Sequence, residues 1–132
     1  MKKLLLTIFF ALIFVVAFSQ ARLGYSASDI RTEFQESRYK LKSSYTDTGI
    51  YYITIRIENA SVVYYFNSDR ICTLTCIIPD NQGALNFYVE LYNKMYVIVS
   101  STNWKMYSAN GISNITLVYP EEGGYYFTWT ID

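Results

Sequence analysis

Residues 50–58 read Ile-Tyr-Tyr-Ile-Thr-Ile-Arg-Ile-Glu, with apolar and polar side chains alternating. Successive side chains of an extended chain point to opposite faces, so Tyr51, Ile53, Ile55 and Ile57 share one face and Tyr52, Thr54, Arg56 and Glu58 the other. That pattern predicts a half-buried strand, hence an antiparallel sheet with one covered and one wet side. Before it, Tyr39–Tyr45 reads as a strand and Thr46-Asp47-Thr48-Gly49 as the connecting turn. Further upstream, Ser26 can cap a helix over Ser26–Ser37, with Asp29 three residues on and Ala27, Ile30 and Phe34 along one face. After the decisive stretch, Asn59-Ala60 turns into a strand at Val62–Phe66. Asn67-Ser68-Asp69-Arg70 then turns into another at Ile71–Ile78, which Pro79 ends.

The second half has a parallel reading. Asp80-Asn81-Gln82-Gly83 forms a cap and loop before a helix over Ala84–Lys94, with Ala84, Phe87, Leu91 and Met95 on its packing face. Strands follow at Tyr96–Ser100, Trp104–Tyr107, Ile112–Tyr119 and Gly124–Ile131, with turns at Ala109-Asn110-Gly111 and Pro120–Gly124. At an offset of 57, Ala27, Ile30, Phe34 and Tyr39 meet Ala84, Phe87, Leu91 and Tyr96. At 62, Ile50, Ile53 and Ile55 meet Ile112, Ile115 and Leu117, and at 61, Tyr64-Tyr65-Phe66 meets Tyr125-Tyr126-Phe127. Insertions confined to turns are what a duplicated unit tolerates. The expected architecture is therefore α+β: two repeats, about 24–79 and 80–132, each of one helix plus about three antiparallel strands. Together they form a continuous antiparallel sheet with the helices on one side.

Met1–Ser19 reads differently from the rest. Lys2-Lys3 precedes an apolar run, Leu4–Phe18, and Ala17 and Ser19 stand at the small positions before a cut, which predicts a signal peptide over 1–19. The run is short against the roughly 20 apolar residues that span a bilayer, so no membrane insertion is expected after cleavage. The expected product is a single domain over 20–132, exported to the periplasm or the medium. Cleavage changes the charge from 11 basic and 11 acidic side chains to nine and eleven. It removes Phe9, Phe10, Phe14 and Phe18 but none of the 14 Tyr.

Composition narrows the chemistry. The chain has no histidine, which removes Ser-His and Cys-His pairs, imidazole metal ligands and the side chain that titrates near neutrality. The absence of a basic cluster argues against nucleic acid. Acidic residues are scattered, and no calcium-type loop or glycine-rich phosphate loop occurs, so no cofactor, no metal and no catalysis are expected. Cys72 and Cys76 on one straight strand would share a face about 13 Å apart. A disulfide needs Cα atoms about 4.4–6.8 Å apart. Two buried or half-buried thiols, a bridge across a bent strand and an intermolecular bond all remain open. What is left is aromatic: Tyr52, Tyr65, Trp104, Tyr107, Tyr126 and Trp129 are the candidate binding surface, because charge-poor aromatic rows suit protein contacts. The expected partner is another protein or a second copy of the chain. A soluble carrier for an apolar or saccharide ligand, held between helices and sheet, is the alternative.

Two resemblances accompany these readings. Gly24-x-Ser26-x-x-Asp29-Ile30 resembles the helix-opening pattern of the β-lactamase-inhibitor-like superfamily, which implies a tandem α+β repeat. The Gly-x-Pro common after that family's first helix, and the cysteine of its lipoprotein members, are missing. Tyr64-Tyr65-Phe66, Tyr92-Asn93-Lys94 with Tyr96-Val97, and Trp104-Lys105-x-Tyr107 look like strings of small uncharacterised exported proteins of the Bacteroidetes type. Neither resemblance implies an activity.

Overall fold

The computed structural model describes residues 21–109 and 111–132; the signal-peptide reading over 1–19 lies outside the described residues. The decisive stretch forms β2 (Tyr51–Ile57), between β1 (Lys42–Tyr45) and β3 (Ala60–Phe66), and β4 (Cys72–Pro79) completes the first antiparallel meander. The second consists of β5 (Val97–Ser100), β6 (Asn103–Ser108), β7 (Gly111–Val118) and β8 (Tyr126–Ile131). β4 pairs with β8, so one eight-stranded antiparallel sheet runs β1-β2-β3-β4-β8-β7-β6-β5. The fold is α+β, with two α-helices, α1 (Ala27–Glu33) and α2 (Gln82–Met95). Each helix precedes four strands rather than about three.

Both helices start where short polar side chains supply a cap. Ser26 Oγ accepts from Asp29 N at 3.1 Å and Asn81 Oδ1 from Ala84 N at 2.9 Å. α1 is shorter than expected: it stops at Glu33, and Ser37–Tyr39 forms a separate 3-10 turn. The packing face of α2 differs by about one residue from the expected one. Leu85, Tyr88 and Tyr92 are buried with Ala84, whereas Phe87 is 53% exposed. Sequence spacing alone does not choose between adjacent faces when tyrosines can serve as core residues.

The sheet's covered face carries the core. The row Ser43, Ile53, Tyr64, Thr75, Trp129, Ile115, Trp104, Ile98 runs across all eight strands. At the C-cap of α1, Phe34 stacks on Tyr64 with centroids 6.2 Å apart. From α2, Tyr92 meets Phe127 at 5.0 Å and Trp104 and Trp129 each at 5.7 Å. Both helices thus lie on the same side of the sheet. Edge-to-face aromatic contacts of this kind contribute roughly 0.5–1.5 kcal/mol each beyond the area they bury.

Two expectations fail for local reasons. Cys72 and Cys76 do not share a face, because Phe66 pairs with Cys72 while Tyr65 pairs with Leu74. That register shift makes Thr73 an extra residue, a β-bulge that turns Cys72 inward and leaves Cys76 on the other side. Both thiols are free, Cys72 buried and Cys76 half-buried. The residue correspondence between halves also fails beyond the first strands. Offsets of 62 and 61 match β2 with β7 and β3 with β8, and so skip β6, whereas element order places β6 opposite β2. All these strands alternate alike, so a slip by one whole strand keeps every apolar residue in phase.

Candidate functional site

The uncovered face is the opposite parity of the same strands. One row across it reads Ser44, Tyr52, Tyr65, Leu74, Thr130, Asn114, Lys105, Val97, and the next Lys42, Thr54, Val63, Cys76, Thr128, Thr116, Asn103, Ser100. From β2 to β6 every residue of both rows is half-buried, and Lys105 is the sole charge among them. Lys105 lies 3.9 Å from Asp132, and Asn114 donates to the same carboxylate. At the margin Arg56 donates to both Asp80 oxygens, at 2.7 and 2.8 Å, and to Ser61 Oγ at 2.8 Å. That guanidinium holds the Asp80 carboxyl below its ordinary range, and Asp80 raises the guanidinium. The centre of the face is thus apolar and hydroxyl-bearing, with Arg56 and Lys105 each set beside a carboxylate.

The structure divides the six aromatic candidates. Tyr52 and Tyr65 meet across β2 and β3, with centroids 6.0 Å apart and planes 47° apart. Desolvation raises the Tyr65 hydroxyl's pKa, and Cys76, Tyr52 and Tyr126 add to the shift. Tyr126, opposite Val118, takes the same phase of β8 as Thr128 and so also belongs to the open face. Tyr107 is on the same face at the far corner, opposite Ile112, and is 60% exposed. Trp104 and Trp129 are elsewhere: both face α2 and are 1% and 3% exposed, so they belong to the core and not to the open face. Their parity was readable, because Trp129 shares a phase with Phe127, while Thr128 and Thr130 take the wet phase. The core also satisfies the Trp104 ring N–H, which donates to Asn93 Oδ1 at 2.8 Å. Leu74, Val63 and Cys76 extend the open surface; no aromatic ring or charge marks them in the sequence.

A second concavity lies on the helix side. A groove of about 620 Å³ separates α1 from α2, with Phe34, Tyr39, Tyr64, Phe87 and Tyr88 among its walls. Its arginines have partners: Arg22 is buried and forks onto Glu33, Arg38 sits 2.9 Å from Glu36 and over the Tyr39 ring, and Arg56 is paired with Asp80. Tyr88 Oη donates to Asn59 Oδ1 at 2.7 Å. No tryptophan lines this groove.

Compared with known proteins, the chain matches no family model, no curated protein and no solved structure. Function must therefore be argued from these surfaces. Among the described residues no group of three or more Cys, Asp or Glu side chains is placed to hold a metal ion, and no helix is long and apolar enough to cross a membrane.

Proposed function

We propose that the protein is a small exported, non-catalytic binding domain whose open sheet face contacts a protein partner or a second copy of the chain. The observation that carries this reading is the charge-poor centre of the face, where Tyr52, Tyr65, Leu74, Val63 and Cys76 lie together uncovered by either helix. Charge depletion at the centre with tyrosine beside it is the composition of interface cores, where a few aromatic side chains supply most of the affinity. The export reading rests on Met1–Ser19, and the non-catalytic one on the lack of histidine and the scatter of acids. No nucleic acid and no bilayer enter the proposal.

The test is site-specific photo-cross-linking in the native envelope or medium. A benzophenone side chain at Thr54 or Thr128, both on the open face, is expected to capture a discrete protein, or the chain itself at twice its mass. The same probe at Asn86, exposed on α2, is expected to capture neither. Equal labelling from both sides would count against the sheet-face reading.

The carrier reading keeps one observation in its favour, the aromatic groove between the helices. It predicts that an apolar fluorophore such as anilinonaphthalene sulfonate brightens on the folded protein, and that Phe87→Ala abolishes the signal. We also infer that the domain is a doubled unit, related in plan to the β-lactamase-inhibitor-like superfamily and to exported proteins of the Bacteroidetes type. The support is the order helix, four-strand meander, helix, four-strand meander, with the last strand of each meander meeting at the centre.

A further inference from the structure

We propose that the outer end of the first meander is a binding site for an acidic saccharide, a sugar ring carrying a carboxylate or phosphate group. This goes beyond the sheet-face reading and does not depend on it. A cavity of about 630 Å³ opens between the β1–β2 turn and the β3–β4 loop, walled by Tyr45, Ile50, Tyr51, Tyr65 and Arg70. Its volume lies within the range of about 300–1,000 Å³ usual for small-molecule sites. Arg70 is the sole charged residue lining it, and no carboxylate lines it.

The charge there is uncompensated. Among the described residues Arg22, Arg38 and Arg56 each lie within 4 Å of a carboxylate, whereas Arg31 and Arg70 do not. Arg70 instead lies over the Tyr51 ring, 3.7 Å from its centroid, and donates to Tyr45 Oη at 2.7 Å. Arg31, at the end of α1, lies 5.6 Å from the same centroid and donates to Tyr51 Oη and to Ser43 Oγ. Two guanidiniums therefore converge on one tyrosine, and each is held by neutral acceptors. A guanidinium forks onto carboxylate or phosphate with paired hydrogen bonds, so a ligand bearing such a group suits this pair.

Backbone geometry makes the same point. Arg70 has φ +62°, a conformation that glycine adopts freely and a side chain does not. The loop is held in this shape by Asn67, whose Oδ1 accepts from Asp69 N and Ile71 N at 3.0 Å. An arginine at a position suited to glycine brings its guanidinium to the cavity mouth. Around that charge the walls offer ring faces and hydroxyls: Tyr45 is 58% exposed, and Ser68 and Thr73 also line the cavity. A flat aromatic face takes the apolar side of a sugar ring, and hydroxyls pair with its rim.

Isothermal titration of the folded protein tests the assignment, with trigalacturonate, its neutral methyl ester and glucose 6-phosphate as probes. At least one anionic sugar is expected to bind, about tenfold or more tightly than the ester, and more weakly as salt is added. Arg70→Gly suits the positive φ and is expected to keep the fold while weakening binding about tenfold or more. Arg70→Gln checks the same loss with a neutral, shorter polar side chain, and Arg70→Lys is expected to recover part of the affinity. Equal binding of acid and ester, undiminished binding by folded Arg70→Gly and Arg70→Gln, or no binding of either anionic sugar overturns the proposal. Preference between the two anionic sugars tells carboxylate from phosphate. Because Arg70 is remote from Thr128, failure here leaves the cross-linking result standing, and the reverse also holds.

Discussion

At the scale of single residues, the bulge at Thr73 has the largest chemical effect. By turning Cys72 inward it leaves Cys76 without that neighbour on the open face, between Val63 and Thr128, where desolvation pushes its thiol up to about 11. Burial also raises Cys72, against the lowering effect of the Thr75 hydroxyl. Near pH 8 the thiolate fraction of Cys76 is on the order of a hundredth of that of an ordinary free thiol, so iodoacetamide is expected to alkylate it far more slowly than a model peptide. The sign for stability follows from the same shift. A thiol that ionises less readily when folded contributes stability below its unfolded value of about 9, and that contribution is lost as pH rises towards 11. Urea unfolding at about pH 8 and about pH 10.5 should show a smaller alkaline loss in Cys76→Ala than in the parent. An identical loss in both would show that Cys76 is not desolvated.

Among the elements, legibility varied with the kind of signal. All eight strands and both helix starts are where alternation, caps and turn residues place them, since each signal is local and carried by particular residues such as Ser26, Asn81 and Pro79, although α1 ends early and Ser37–Tyr39 forms a 3-10 turn. Three features were not legible. Which face of α2 packs was decided by its fit against Phe127 and Trp129, residues some 40 positions away. The bulge at Thr73 leaves no mark in a run of β-formers, and the αL arginine stands where turn statistics expect glycine. For the candidate site, Tyr52, Tyr65, Tyr107 and Tyr126 were legible as open-face residues, but the uncompensated Arg70 was not, because charge pairing is a tertiary property. The helix caps are testable. Ser26→Ala is expected to cost about 1 kcal/mol by thermal or urea unfolding, and Asn81→Ala a similar amount. α1 has only seven residues, so Ser26→Ala should also speed amide exchange throughout that helix.

For the whole molecule, the two meanders meet only where β4 and β8 pair, and Phe127, opposite Ile77, sits at that join beneath Tyr88 and Tyr92. Phe127→Ala removes the ring that three elements share and is expected to cost about 3–5 kcal/mol. Loss should be global rather than confined to the second half. Tryptophan fluorescence, which reports Trp104 and Trp129, and far-ultraviolet circular dichroism, which reports both meanders, are expected to give coincident transitions in parent and variant. Two separate transitions would mean that the halves are independent folding units.

The ends of the sheet differ in a way that bears on how copies of the protein can meet. β1 carries Lys42, follows Lys40 and is tied by Arg31 through Ser43, whereas β5 offers Val97, Ile98 and Val99, each more than half exposed and none charged. Lysines blunt a strand edge, and bare apolar edges invite another strand. A sheet with one receptive border and one refusing border can be joined to another copy across the receptive side only once. Two molecules so joined present nothing but lysine-bearing borders outward, so edge-to-edge stacking terminates at a pair and does not propagate into a fibre.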